Sequence, residues 1–267
     1  MTNQEPRCCG PTVDVVARPV FRAEPTEVPI AGADVVPIAV PALLAFVAGY
    51  VDSCTFLAFA GLFVAQMTGS LVVAGSELVA KNDGFLIKVL AIPIFFAAGV
   101  LTTIIVRALG SDSRRALVAT LALEAALLGG LACVDVSSGV TTVTSVAVLF
   151  DLSAMGVQSA SVRLLLVQYG STNVMTTNTT QLAIELTDML LASHRNRRNP
   201  RDAAWRLSDE RTRVALARVA PIMLGFVAGT VAGGLAYTSI GLNGLVFAVG
   251  IVATLAIWAV KGTWLRR

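Results

Sequence analysis

The residues best placed to do chemistry sit in two similar runs. In the first, Gly49-Tyr50-Val51-Asp52-Ser53 leads to Gln66-Met67-Thr68-Gly69-Ser70; in the second, Gly156-Val157-Gln158-Ser159-Ala160 leads to Asn173-Val174-Met175-Thr176-Thr177-Asn178. Both lie within apolar sequence. A carboxylate such as Asp52 is costly at membrane depth and is a functional-site hypothesis by default, able to bind a cation or to carry a proton. Hydroxyls and amides donate and accept, so they can line a wet cavity or satisfy backbone groups freed where a helix breaks. Gly69 permits such a break or a close backbone approach. The candidate binding set for a small solute or ion is therefore Asp52, Gln66, Thr68, Gly69, Gln158, Ser159, Asn173, Thr176 and Asn178. The alternative is that these small polar side chains only pack helices together.

Composition defines the setting. Of the 267 residues 55% are hydrophobic and 14% charged, with a mean hydropathy of +0.76; about a quarter of a soluble domain is charged. Apolar runs of about 20 residues suit helices crossing about 30 Å of hydrocarbon and exceed barrel strands. The fold class is all-α, a polytopic helical membrane protein. The net charge of +3 is unevenly placed, so it reports orientation in the membrane and not affinity for nucleic acid. The four cysteines and the single His194 show no metal spacing, and no cofactor is implied. No nucleophile with a base and no phosphate loop is visible, which argues against an enzyme.

The elements that must position the candidate residues follow the apolar runs. Residues 1–36 read as a flexible N-terminal tail. A first membrane repeat, 37–136, contains an apolar helix of about 38–60, a polar segment of 62–80, and helices of about 85–108 and 115–135. A second repeat, 137–267, contains a helix of about 145–168, a polar segment of 171–191, a basic linker of 192–213, and helices of about 214–237 and 243–262. Gly49 and Gly156 are 107 positions apart, whereas Met67 and Met175, and Glu77 and Glu185, are 108 apart, so one inserted residue is expected between them. Phe96 and Gly99 pair with Phe226 and Gly229 in the same scheme. Matched polar interruptions in two halves of a membrane protein point to a transport site.

Positive residues mark the cytoplasmic side. His194, Arg195, Arg197, Arg198 and the later arginines of the linker, with Lys261, Arg266 and Arg267, place the linker and both termini inside. If Arg107, Arg114 and Arg115 are also inside, the two polar segments become re-entrant. That gives six spans plus two re-entrant or broken segments, with three spans per half, which makes the repeats inverted. The rival arrangement is eight full spans.

Other charged residues divide. Asp151 and Arg163 are about 18 Å apart on one helix and cannot pair; Asp151 is expected nearer the outer face and Arg163 nearer the inner one, where it can snorkel. Glu77 and Glu185 reach interfacial water, and Glu124 sits mid-helix. Gly225, Gly229 and Gly233 form a small-residue stripe suited to close helix packing, within the bundle or between copies.

The runs Ala48-Gly49-Tyr50-Val51-Asp52 with Phe63-Val64-Ala65-Gln66-Met67-Thr68-Gly69-Ser70, and Gln158-Ser159-Ala160-Ser161-Val162-Arg163 with Asn173-Val174-Met175-Thr176-Thr177, resemble the YoaK-like bacterial membrane-protein family. That family carries a domain-of-unknown-function label. The resemblance spans roughly residues 38–262. It implies a multi-pass protein of the bacterial inner membrane and supplies no substrate. Ser70, Ser159 and Thr177 stand where the family pattern has Asn, Asn and Gly. The expectation is a small-solute or ion transporter or channel-like permease, with the lipid bilayer, an unknown small solute or ion and a homo-oligomeric copy as partners. The alternative is a membrane scaffold or regulatory subunit that acts through the basic linker.

Overall fold

The computed structural model describes residues 36–59, 61–80, 85–110, 113–132, 141–198 and 203–262, all in the compact unit Asp34–Arg267. The elements are helices α1 (Ala39–Ala58), α2 (Met67–Ala80), α3 (Phe85–Ala108), α4 (Ser113–Ala132), α5 (Thr141–Leu165), α6 (Met175–Arg198), α7 (Ala203–Ile240) and α8 (Leu245–Lys261). A 3-10 turn, Gly241–Gly244, joins the last two. No strand occurs among the described residues. Helices suit such apolar sequence because each satisfies its own backbone hydrogen bonds without water.

Among the described residues, four stretches are long and apolar enough to cross a membrane: Ala39–Ala58, Lys88–Ala108, Ser145–Leu165 and Thr212–Lys261. The last has 50 residues and runs through α7, the turn and α8. By contrast α2, with 14 residues, is only about 21 Å long and falls short of the hydrocarbon thickness.

The two polar segments each begin non-helically, over residues 61–66 and 166–174, and then enter α2 and α6. The segment expected as a basic linker, 192–213, is helical where it is described, since residues 192–198 continue α6 and 203–213 begin α7. The physical reason is composition: Ala203-Ala204-Trp205-Arg206-Leu207 and the residues that follow are rich in good helix formers. The tail 1–35, with Cys8 and Cys9, and Cys133 lie outside the described residues.

The closest packing joins α1 to α7. A Cβ at Gly225, Gly229 or Gly233 would stand 2.3, 2.1 or 2.3 Å from the carbonyl oxygens of Ala42, Phe46 and Tyr50. No side chain fits there, so the glycine stripe is spent inside the bundle. Because 42, 46 and 50 meet 225, 229 and 233 in rising order, α1 and α7 run parallel. Hydrogen bonds add to this seam: Cys54 Sγ donates to the Gly233 carbonyl of α7 at 3.3 Å, and Tyr50 Oη to that of Gly244, in the turn that follows α7, at 2.7 Å.

After the 3-10 turn, α8 returns against α4. Arg114 donates from Nε to the Ala259 carbonyl at 3.0 Å and from Nη2 to that of Val260, while Gly129 faces Val249. The two helices are antiparallel, and Arg114 caps the last carbonyls of α8, where a cation is favoured. Lys88 Nζ pairs with Glu77 Oε1 across α2 and α3. Glu77 is therefore an ion-pair partner and does not simply reach interfacial water.

Candidate functional site

The site begins where α1 ends. Phe59 N–H donates to the Thr55 carbonyl at 2.8 Å and Gly61 N–H to that of Phe56 at 2.9 Å, with Gly61 at φ +84°, a region that only glycine enters freely. The chain thus reverses and runs back beside α1. Val64 N–H and Ala65 N–H then donate to Asp52 Oδ1 at 2.8 and 2.7 Å. Asp52 is six residues before the end of α1, so the chain has come back about 9 Å. A carboxylate supplies the acceptor that two freed backbone N–H groups need in an apolar interior.

Ser70 and Phe63 brace this loop. Ser70 Oγ accepts from Phe63 N–H at 3.0 Å and donates to the Phe63 carbonyl at 2.5 Å. The Phe63 ring packs on Phe56 with centroids 4.8 Å apart. Gly69 is small because a Cβ there would stand 2.8 Å from that ring. Its use is steric room more than a break.

The second loop repeats the scheme with other side chains. Gln158 Nε2 donates to the Leu44 carbonyl at 2.8 Å and lies 3.3 Å from Thr172 Oγ1 and 3.5 Å from Asn173 Oδ1. Thr172 Oγ1 donates to Asn173 Oδ1 at 2.8 Å, and Asn178 Nδ2 to the Ser171 carbonyl at 2.6 Å. Backbone bonds recur with a fixed offset. Phe59 to Thr55 and Leu62 to Phe59 are matched 107 positions later by Leu166 to Val162 and Tyr169 to Leu166. The Ser70–Phe63 brace is matched 108 positions later by Asn178–Ser171. The extra residue between those matches is Gly170.

Phe96 and Gly99 do not match Phe226 and Gly229 in their surroundings. Gly156 approaches the Phe95 carbonyl as Gly49 approaches that of Phe226, and Gly99 has nothing within 4 Å of a built Cβ. Phe96 is 71% exposed, whereas Phe226 is buried.

The nine candidate residues do not enclose one site. Asp52 and Gln66 come together, since both line a recess of about 260 Å³ with Ser53, Phe56, Leu57, Phe63, Thr230 and Gly234. Gln158 and Asn173 form a second cluster with Thr172. Leu44, which Gln158 touches, is eight residues from Asp52, so the clusters are about 12 Å apart along α1. Gly69 and Asn178 support the loops, and Ser159 is half-buried. Thr68 and Thr176 are exposed and away from both clusters. Each leads a new helix after the buried loop, and the helical turn carries it to the outer face.

Among the described residues, three buried carboxylates mark the interior: Asp52 on α1, Glu124 on α4 and Asp151 on α5. Asp52 Oδ2 and both oxygens of Glu124 and Asp151 have no hydrogen-bond partner among the described residues, nor do Gln158 Oε1 and Asn173 Nδ2. Gln66 adds a looser polar contact to Asp52. Asp151 lies within electrostatic reach of Asp52 and Cys54. Sequence reasoning therefore missed it as a neighbour of Asp52, though an acid seven residues before Gln158 was a usable signal. Arg163 is exposed, as a snorkelling residue requires. No cluster of three or more metal-binding side chains occurs among the described residues.

A family model described as a protein of unknown function, DUF1275, matches residues 40–258. No curated protein and no solved structure matches the chain.

Proposed function

The chain belongs to the DUF1275 family, and we propose that it is a permease of the bacterial inner membrane that moves a small solute or ion past Asp52. The observation that carries this reading is the state of that one side chain. Asp52 is 2% exposed inside a span; one oxygen is tied to two backbone N–H groups of a returning loop, and the other, beside a recess, has no close hydrogen-bond partner among the described residues. An acid at membrane depth that meets a broken segment is the kind of arrangement transporters use to bind an ion or polar group.

In this reading the chain has six spans and two re-entrant segments, in two inverted repeats. The hydrogen bonds that recur 107 and 108 positions later support duplication. Helix directions support inversion: α4 runs against α8, so these counterparts are opposed. The short α2, which follows a loop returning to the depth of Asp52, supports re-entry. Both termini are cytoplasmic, the bilayer is the permanent partner, and copies associate through the exposed lipid-facing surface.

The test is flux or ligand-induced thermal stabilisation of the reconstituted protein across a panel of small solutes and ions. Wild type is expected to respond to at least one, and Asp52→Asn to lose the response while keeping its fold. A wild type that moves and binds nothing, together with loss of a protein complex when residues 192–213 are removed, favours the scaffold reading.

A further inference from the structure

Asp52 and Asp151 approach each other where α1 crosses α5. Gln158 meets Leu44 at one end of the crossing; going eight residues up α1 reaches Asp52, and going seven back along α5 reaches Asp151. Tyr169, just past the end of α5, donates to the Val36 carbonyl at the start of α1, whereas Gln158 meets Leu44, so the two helices run antiparallel. The rises are about 12 and 10.5 Å, which puts the two acids at nearly the same level, and the charge of Asp52 bears on Asp151.

Asp151 is fully buried and Asp52 is 2% exposed, and three of their four oxygens are unpartnered. The remaining oxygen is fixed by Val64 and Ala65, which leaves Oδ2 as the free atom of Asp52. Around the pair stand Cys54 on α1, the amide of Gln66 on the loop, and Thr230 and Gly234 across the recess on α7. Burial, the hydrogen bonds of the loop and, for Asp151, the charge of Asp52 bear on the two acids. Two carboxylates at one level of an apolar interior oppose each other's ionisation. No group of three or more His, Cys, Asp or Glu side chains gathers there among the described residues, whereas a calcium or magnesium ion takes six or more oxygens.

We propose that Asp52 and Asp151 form a proton-binding site that holds one exchangeable proton between them, loaded from water in the recess beside Asp52. Loading moves a proton from hydronium to a carboxylate oxygen and leaves water; release is the reverse, with no redox change. The inference deepens the permease reading and rests on it only for its physiological use.

The test is difference infrared spectroscopy of the full chain in liposomes through a pH titration, in light and heavy water. Wild type is expected to show one deuterium-sensitive protonated-carboxyl band that titrates as a unit. Asp52→Asn and Asp151→Asn should each abolish or displace that same band, and Glu124→Gln should leave it in place. Because an Asn variant could fail to fold, Asp52→Glu and Asp151→Glu form the second arm, each shifting the shared band. Two independent bands, each removed by one variant alone, or a band indifferent to both, would overturn the proposal. Solute flux without the shared band sinks the proton site and spares the permease. A shared band in a protein that moves none of the panel does the reverse.

Discussion

Asp52 does two jobs with two oxygens, and substitutions can separate them. Asp52→Asn keeps an acceptor for the N–H groups of Val64 and Ala65, so its unfolding midpoint in detergent should stay near wild type. Asp52→Leu strands both N–H groups, at about 1–3 kcal/mol each, and should lower the midpoint markedly. Equal losses in the two variants would show that the loop is not tethered through Oδ1. The carboxylate itself was legible in the sequence, because an acid inside an apolar run has few bland explanations. Its neighbour Asp151 was not, because the pattern along one helix says nothing of which other helix crosses it, or at what level. Thr68 and Thr176 show the complementary failure. Their polarity signalled a site, but the direction of a side chain depends on where the helix starts, and the non-helical residues 61–66 and 166–174 shift that start.

At the scale of elements, the α1–α7 seam depends on absent side chains. Gly229→Val would drive a Cβ to within 2.1 Å of the Phe46 carbonyl oxygen, a backbone atom that cannot swing away. The helices must separate, and a loss of at least about 1–3 kcal/mol is expected, read as a lower thermal midpoint. Gly99→Ala meets nothing within 4 Å and should be neutral or slightly stabilising, since alanine favours helix. Similar losses at both positions would contradict the packing described. The stripe 225, 229, 233 was legible as a packing face. That its partner is α1 was not, because a smooth face fits another helix of the same chain or of a second copy equally well. Gly170 was equally hidden: an inserted residue could be inferred from offsets of 107 and 108, but only the hydrogen bonds on either side locate it.

At the scale of the whole molecule, the number of spans separates the inverted six-span reading from eight parallel spans. Ser113→Cys in a cysteine-free background places a thiol at the exposed start of α4. In intact cells it should resist an impermeant thiol reagent and react once the membrane is opened; reaction from outside would refute the six-span reading. Apolar runs made the all-helical membrane class legible, whereas the helical nature of residues 192–198 and 203–213 was masked by their charge. The most direct test of the central claim, that a buried acid at a returning loop serves permeation, is the comparison of wild type with Asp52→Asn in proteoliposomes over a panel of small solutes and ions. Flux in wild type that is lost in a correctly folded Asp52→Asn is the predicted result. Flux of equal rate in the two proteins would contradict it.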